Sequence, residues 1–221
     1  VVGDFNADGR TDLAVGAGAA GFDTGRVYIF YNDGALATNA SRADVVIAGE
    51  TDSYSFGSVA GDFNADGKTD LVVESPMYYY ATGRVYIFYN DGSYPTSAAL
   101  ADAMITGEST SLYIGALAAG DFNADGRTDL ILGIPGKSPS GRVDIFYNDG
   151  SYPISTTSAD FSITGETSGD NFGSVIVTAD FNFDGKTDLA VGALYYGSGN
   201  DFGRVYLFYN DGSYPTVAAS A

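Results

Sequence analysis

Short apolar runs separated by polar, glycine-rich turns fill the whole chain, and no segment sustains the 3.6-residue apolar period of an amphipathic helix. The clearest run recurs as RVYIFY at 26 and 84, RVDIFY at 142 and RVYLFY at 204. It is apolar on both faces, as in a sheet packed between two neighbours rather than one with a wet side. Each copy ends at NDG, a strong reverse-turn signal. A second set, DLAVG, DLVVE, DLILG and DLAVG, begins at Asp12, Asp70, Asp129 and Asp188. The pattern predicts an all-β chain with almost no helix and four strands per unit. In the best-resolved unit these run over about 58–60, 70–73, 84–89 and 103–106.

The strands are spaced from a nine-residue stretch that occurs four times: DFNADGRTD from Asp4, DFNADGKTD from Asp62, DFNADGRTD from Asp121 and DFNFDGKTD from Asp180. Its period of 58 or 59 residues in an all-β chain predicts a propeller blade. Within each copy, oxygen-bearing side chains stand at loop positions 1, 3, 5 and 9 with glycine at position 6. That alternation points successive ligands at one hard cation. The first copy supplies Asp4, Asn6, Asp8 and Asp12, with the main-chain carbonyl of Arg10 at position 7. The counterparts are Asp62, Asn64, Asp66, Lys68 and Asp70; Asp121, Asn123, Asp125, Arg127 and Asp129; and Asp180, Asn182, Asp184, Lys186 and Asp188. The side chains at position 7 are expected to swing to solvent, since only their main-chain oxygen is wanted.

Three carboxylates in nine residues repel one another without a cation, and no soft ligand is present. Ca2+ is therefore expected, about four per chain, ahead of zinc or copper and ahead of the more strongly hydrated Mg2+. A plain DG turn is the commoner explanation of any single copy, but four copies with the same oxygen ligands argue against it. An EF-hand or dockerin loop needs an acid at position 12 and a helix afterwards. Here position 12 is Val15, Val73, Leu132 or Val191, and the loop exits into a strand.

The order of FG, calcium loop, DLxVG and GRVYIF resembles the FG-GAP repeat of integrin α-subunit β-propellers and their bacterial relatives. FG stands at Phe56-Gly57 and Phe172-Gly173, softens to Ile114-Gly115 and is absent from the first repeat; the GAP element drifts to GAG at Gly16, ESP at Glu74, GIP at Gly133 and GAL at Gly192. The resemblance covers nearly the whole chain. It implies a β-propeller of four four-stranded blades per chain with incomplete terminal blades, in one domain spanning 1–221 with repeats at about 1–56, 57–114, 115–172 and 173–221. It also implies structural calcium, and an adhesion or recognition module working outside the cell that binds a protein or glycan and is not an enzyme. Because the terminal blades are cut, the chain is expected to close as a four-bladed ring, to pair as a homodimer completing an eight-bladed one, or to form part of a larger propeller. The opening residues read as the middle of a strand, as in a processed or trimmed form.

Composition sharpens this picture. The formal net charge is −18, but 22 of the 28 acids occupy repeated positions and twelve of those lie in the loops. Four dications would leave −10. Eight of the ten basic residues are also at repeated positions, so no basic patch exists for nucleic acid. No apolar run approaches the roughly 18 residues of a membrane span. The chain has no His and no Cys, which removes the usual general base and the thiol nucleophile. A carboxylate pair for glycoside hydrolysis is the residual catalytic possibility. The GxGxxG at Gly16 runs into another strand rather than a helix and does not read as a dinucleotide site. Asn39-Ala-Ser41 is a glycosylation sequon that reads as chance. Arg26, Arg84 and Arg142 recur with Glu50, Glu108 and Glu166, which predicts blade-to-blade ion pairs.

In an up-and-down blade the calcium loops and NDG turns share one face, and the loops that differ between repeats share the other. The variable face collects Tyr54, Tyr78, Tyr79, Tyr80, Tyr113, Tyr195, Tyr196 and Asp201, and five of the six acids outside repeated positions: Asp23, Asp52, Glu74, Asp170 and Asp201. Exposed tyrosines on scaffolded loops suit protein or sugar contacts, so this face is the expected binding surface, for protein adhesion or, as an alternative, as a lectin or the non-catalytic part of a polysaccharide-active enzyme. The competing reading is that these loops drift freely and the tyrosines cover blade edges.

Overall fold

A computed structural model describes residues 1–18, 24–50, 57–110, 112–197 and 202–221. The strands form four antiparallel meanders in chain order. The first holds β1 (Val2–Gly3), β2 (Asp12–Ala17), β3 (Arg26–Phe30) and β4 (Val45–Ala48), and the second β5 (Gly57–Gly61), β6 (Asp70–Ser75), β7 (Arg84–Phe88) and β8 (Ala103–Thr106). The third holds β9 (Ala116–Gly120), β10 (Asp129–Ile134), β11 (Arg142–Phe146) and β12 (Phe161–Thr164). The fourth has three strands, β13 (Phe172–Ala179), β14 (Asp188–Ala193) and β15 (Arg204–Phe208). Register repeats with the sequence: Leu13 pairs with Phe30, Leu71 with Phe88, Leu130 with Phe146 and Leu189 with Phe208. Helix among the described residues is limited to single-turn 3-10 segments after the NDG turns and one distorted turn, α1 (Tyr78–Ala81).

Alternation along each strand sends one set of side chains to the preceding sheet and the other to the following one. Val27, Ile29 and Ile47 of the first sheet meet Leu71, Val73 and Phe88 of the second. Val72, Val85 and Ile87 on the other side of the second meet Leu130, Leu132 and Phe146 of the third. Ile131, Val143 and Ile145 then meet Leu189, Val191 and Phe208 of the fourth. This is why the runs are apolar on both faces: each blade is the filling between two others. A fully buried side chain of this kind contributes about 1.5–3 kcal/mol, so the three sandwich cores carry most of the fold's stability. Phe172 of the FG element and Ile114, which replaces such a Phe, are both fully buried in these cores.

Polar joints fix the spacing between blades. The side-chain amide of Asn90 donates to the carbonyl of Asp4 at 3.3 Å, that of Asn148 to Asp62 at 3.4 Å and that of Asn210 to Phe122 at 3.3 Å. On the opposite face Arg84 meets Glu50 at 2.8 Å, Arg142 meets Glu108 at 3.4 Å and Arg204 meets Glu166 at 2.8 Å. The ion pairs do run between blades, each glutamate reaching the arginine of the next repeat. Tyr86 and Tyr206 also donate to Glu50 and Glu166. The third blade has Asp144 where the others have Tyr, and Arg142 donates to it at 2.7 Å. The donor that Glu108 thereby lacks is replaced by the ammonium of Lys137.

One acid sits against this logic. Glu74 occupies the position of Gly133 and Gly192, is 7% exposed, and leaves Oε2 without a partner. Burial raises its pKa to about 7. Its folded pKa lies above the unfolded value, so between the two the folded state holds the extra proton, and stability falls as pH rises through that window. Glu74→Gln should remove this slope between about pH 4.5 and 7 and raise the thermal midpoint at pH 7.5, measured by unfolding against wild type across that range. Asn148→Ala, which deletes one inter-blade amide, should cost about 1 kcal/mol and lower the midpoint by about 2–4 °C.

Candidate functional site

The four DFN loops fold alike because the chain turns through the left-handed region twice. Position 4 does so at Ala7, Ala65, Ala124 and Phe183, with φ of 58°, 59°, 60° and 61°. Position 6 does so at Gly9, Gly67, Gly126 and Gly185, where φ of 83° to 86° calls for glycine. The turn aims backbone N–H groups inward. In the first loop the N–H of Asp8 reaches Asp4 Oδ1 and Asn6 Oδ1, both at 3.0 Å, and that of Gly9 reaches Asp4 Oδ2 at 2.9 Å. The N–H of Asp66, Asp125 and Asp184 makes the same bond to Asp62, Asp121 and Asp180. Loop positions 1, 3 and 5 are therefore brought together on the surface in all four copies.

Position 9 is different. Asp12, Asp70, Asp129 and Asp188 are at most 1% exposed. Asp70 Oδ2 accepts the N–H of Phe63 at 2.9 Å and Oδ1 that of Asn90 at 2.7 Å. Asp12, Asp129 and Asp188 repeat the pair with Phe5 and Asn32, Phe122 and Asn148, and Phe181 and Asn210. One carboxylate thus ties the loop to the end of the third strand of its blade. Burial raises the pKa of Asp70 to about 6; Asp66 and Asp62 push it further, while the two N–H bonds oppose the rise. Asp129 is raised by the same causes.

These residues suit a hard cation. Every donor is oxygen, each Asp oxygen at position 9 keeps a second lone pair, and three carboxylates per loop face at most one basic side chain, as where Lys68 lies 3.6 Å from Asp66. Asp4, Asn6, Asp8, Asp12 and the carbonyl of Arg10 could hold the ion in the first loop, and their counterparts in the others. Among the described residues no group of three acids already converges as a cage, so the side chains at positions 1 and 5 would have to swing towards the ion. The expectation that position 7 swings to solvent is corrected. Arg10, Lys68 and Arg127 donate to the carbonyls of Asn32, Asn90 and Asn148 at 3.3, 3.0 and 3.0 Å. A strand-end carbonyl needs a donor, and the nearby loop carboxylates hold the cation close. The NDG asparagine, read from the sequence only as a turn residue, joins loop and strand in every blade, and Asn90, Asn148 and Asn210 add the neighbouring blade.

The variable face divides its tyrosines into two kinds. The guanidinium of Arg84 lies 3.9 Å from the ring of Tyr78, and that of Arg204 lies 3.5 Å from the ring of Tyr196. These two rings support the inter-blade ion pairs by cation–π contact and are half-buried, so they are removed from the open binding surface. Tyr79 and Tyr80 are 58% and 75% exposed, with ring centroids 5.1 Å apart and planes at 75°. Their φ values of 42° and 56° hold two bulky residues in the left-handed region, a strain that local propensity does not favour. Tyr195 is exposed and Tyr113 half-buried; burial, then the nearby Tyr195, raises the Tyr113 phenol pKa. The acidic character expected of this face is reduced, because Glu74 and Asp170 are both buried, Asp170 accepting the N–H of Thr167 at 3.1 Å. Tyr54, Asp23, Asp52 and Asp201 lie outside the described residues. Among the described residues no helix is long and apolar enough to cross a membrane.

Known proteins place this arrangement. The family model for the FG-GAP repeat matches 114–146 and 172–208, and that for the FG-GAP-like repeat matches 4–73. Phosphatidylinositol-glycan-specific phospholipase D of Dictyostelium discoideum is 30% identical over 212 residues, covering 80% of this chain and 22% of that protein. Integrin alpha-PS2 of Drosophila melanogaster is 30% identical over 213 residues, covering 87% and 15%. Integrin alpha-4 of Xenopus laevis is 30% identical over 144 residues, covering 65% and 13%. The chain thus spans between 13% and 22% of the length of these relatives. Four antiparallel sheets of this repeat, with integrin α subunits among the relatives, make the chain an integrin-like FG-GAP repeat protein.

Proposed function

We propose that the chain is a calcium-stabilised, non-catalytic recognition module that works outside the cell, with Ca2+ in the four DFN loops and a protein ligand bound on the opposite, variable face. Calcium would balance the carboxylate charge that the single basic side chain of each loop leaves over and would tie the first strand of each blade to the second. The observation carrying the binding face is the Tyr79–Tyr80 pair: two exposed aromatic rings held by strained backbone, beside loops that differ from blade to blade. Integrin α subunits among the relatives support a protein ligand. A glycan is the second reading, since two rings set nearly at right angles offer a stacking face for a sugar. The absence of His and Cys and the repeated, structural placement of most acids support a role without catalysis.

Loops whose ligands come from one short segment, with no bidentate acid at position 12, suit an affinity of roughly 0.1–1 mM, the range of extracellular modules. Excess EDTA should therefore lower the thermal midpoint, and 5 mM Ca2+ should stabilise the fold by about 2 kcal/mol per occupied loop at an affinity near 0.1 mM; an EDTA-treated chain as stable as the calcium-loaded one would contradict structural calcium. On a glycan array and a panel of purified extracellular-matrix proteins, the Tyr79→Ala/Tyr80→Ala double variant should lose about tenfold or more in affinity for whatever the wild type retains. Its melting temperature should stay unchanged. Retained affinity in that variant would move the binding site elsewhere.

A further inference from the structure

The joint between the third and fourth blades departs from the two before it at one spot, where a cavity of about 260 Å³ opens between the third DFN loop and the fourth NDG turn. Three repeat positions change their partners there. In the first three blades the base at loop position 7 donates to the carbonyl of the NDG asparagine, as Lys68 does to Asn90 at 3.0 Å. Among the described residues Lys186 makes neither that bond nor an ion pair, and it lines the cavity half-buried. The hydroxyls of Ser93 and Ser151 donate to Asp91 and Asp149 at 3.5 and 3.3 Å. Their counterpart Ser213 has no such bond and lines the same cavity. Phe161 stands where the first two blades have Val45 and Ala103, so a second aromatic ring joins Tyr147 on the third-blade wall.

The fixed polar groups of this joint are already paired. Tyr214 donates to the carbonyl of Thr187 at 2.8 Å, and Asn210 Oδ1 accepts the N–H of Gly212 at 3.3 Å. At the two earlier joints the hydroxyls of Tyr94 and Tyr152 and Oδ1 of Asn90 and Asn148 are buried without a partner. What is left over at the third is an ammonium and a hydroxyl, both facing the cavity. A half-buried ammonium favours one anionic group. The rings of Tyr147 and Phe161 offer an apolar stacking face, and the hydroxyl of Ser213 can pair with another hydroxyl. The volume is just under the roughly 300–1,000 Å³ of drug-sized sites, which restricts the occupant to a single ring. Burial, then the charges of Asp188, Asp129 and Asp121 among its neighbours, raise the Tyr214 phenol pKa. Those carboxylates disfavour a dianion such as a phosphate ester, whose second charge Lys186 cannot balance.

We infer that this cavity binds a hexuronic acid residue of a saccharide, with its carboxylate on Lys186, its ring against Tyr147 and Phe161, and a hydroxyl on Ser213. The site lies on the loop face and does not depend on the ligand proposed for the variable face.

Nuclear magnetic resonance titration of the isotope-labelled, calcium-loaded chain with glucuronate, glucose and benzoate tests this. Glucuronate should shift the amide signals of Lys186, Ser213 and Tyr147 saturably, with a Kd of about 1 mM for a ligand of one ring. Glucose, which lacks the carboxylate, should bind about tenfold more weakly. Lys186→Met keeps the main-chain carbonyl of loop position 7 and should bring glucuronate down to the level of glucose. Phe161→Ala introduces the residue that the second blade carries there, and should weaken both sugars by about tenfold while the rest of the spectrum is retained. Equal affinity of the wild type for glucose and glucuronate would overturn the proposal. So would glucuronate binding unmoved by Lys186→Met, as expected if loop calcium holds the carboxylate. Benzoate binding as tightly as glucuronate, or no saturable shift at these residues, would overturn it as well.

Discussion

The buried aspartate at loop position 9 is the constraint on which the rest depends. In each blade it accepts one N–H from the loop's own Phe and one from the Asn that ends the third strand, so a single carboxylate holds three chain segments in register. In the second, third and fourth blades that Asn then donates its side-chain amide to the loop of the preceding blade. Registration within a blade and spacing between blades are thus one connected network. The cost is a negative charge at nearly zero exposure beside two more carboxylates, which raises the pKa of Asp70 and Asp129. A divalent cation at the loop would offset that cost where it arises.

The architecture follows from the same economy of means. A blade with two apolar faces cannot stand alone in water, and stacking is what removes both faces from solvent. Consecutive sheets do this three times, and the rim ion pairs Glu50–Arg84, Glu108–Arg142 and Glu166–Arg204 set the angle on the side away from the loops. The third blade shows how tolerant the joint is. Replacing Tyr by Asp144 removed one hydrogen bond to Glu108, and Lys137 restored a donor from another loop. The second blade shows the opposite case, with Glu74 placed in the joint and no donor supplied to its Oε2.

Strand order, blade period and the DFN loops were legible in the sequence because they are local: an alternation, a turn dipeptide, a glycine at a fixed offset. What the sequence did not disclose depends on which repeat faces which. The recurring Arg and Glu foretold ion pairs between blades, but not that each glutamate reaches the arginine of the following repeat, as Glu50 meets Arg84. Tyr78 and Tyr196 read as free aromatics on variable loops, yet each lies beneath an arginine of an inter-blade pair. Asp170 and Glu74 read as surface acids and are buried. The three aspartates of each loop read as equivalent ligands, whereas position 9 points into the blade and is already held by two backbone N–H groups. An offset of one repeat, or of one side of a strand, leaves no trace in a linear pattern.

Isothermal titration of the chelator-treated chain with Ca2+ tests the central claim most directly, because it counts the ions and relates them to the loops. The account predicts about four ions per chain, one for each DFN loop, and the loss of one on Asp70→Asn with the other three retained. Absence of any calcium-dependent heat in a folded chain, or an unchanged stoichiometry in that variant, would contradict it.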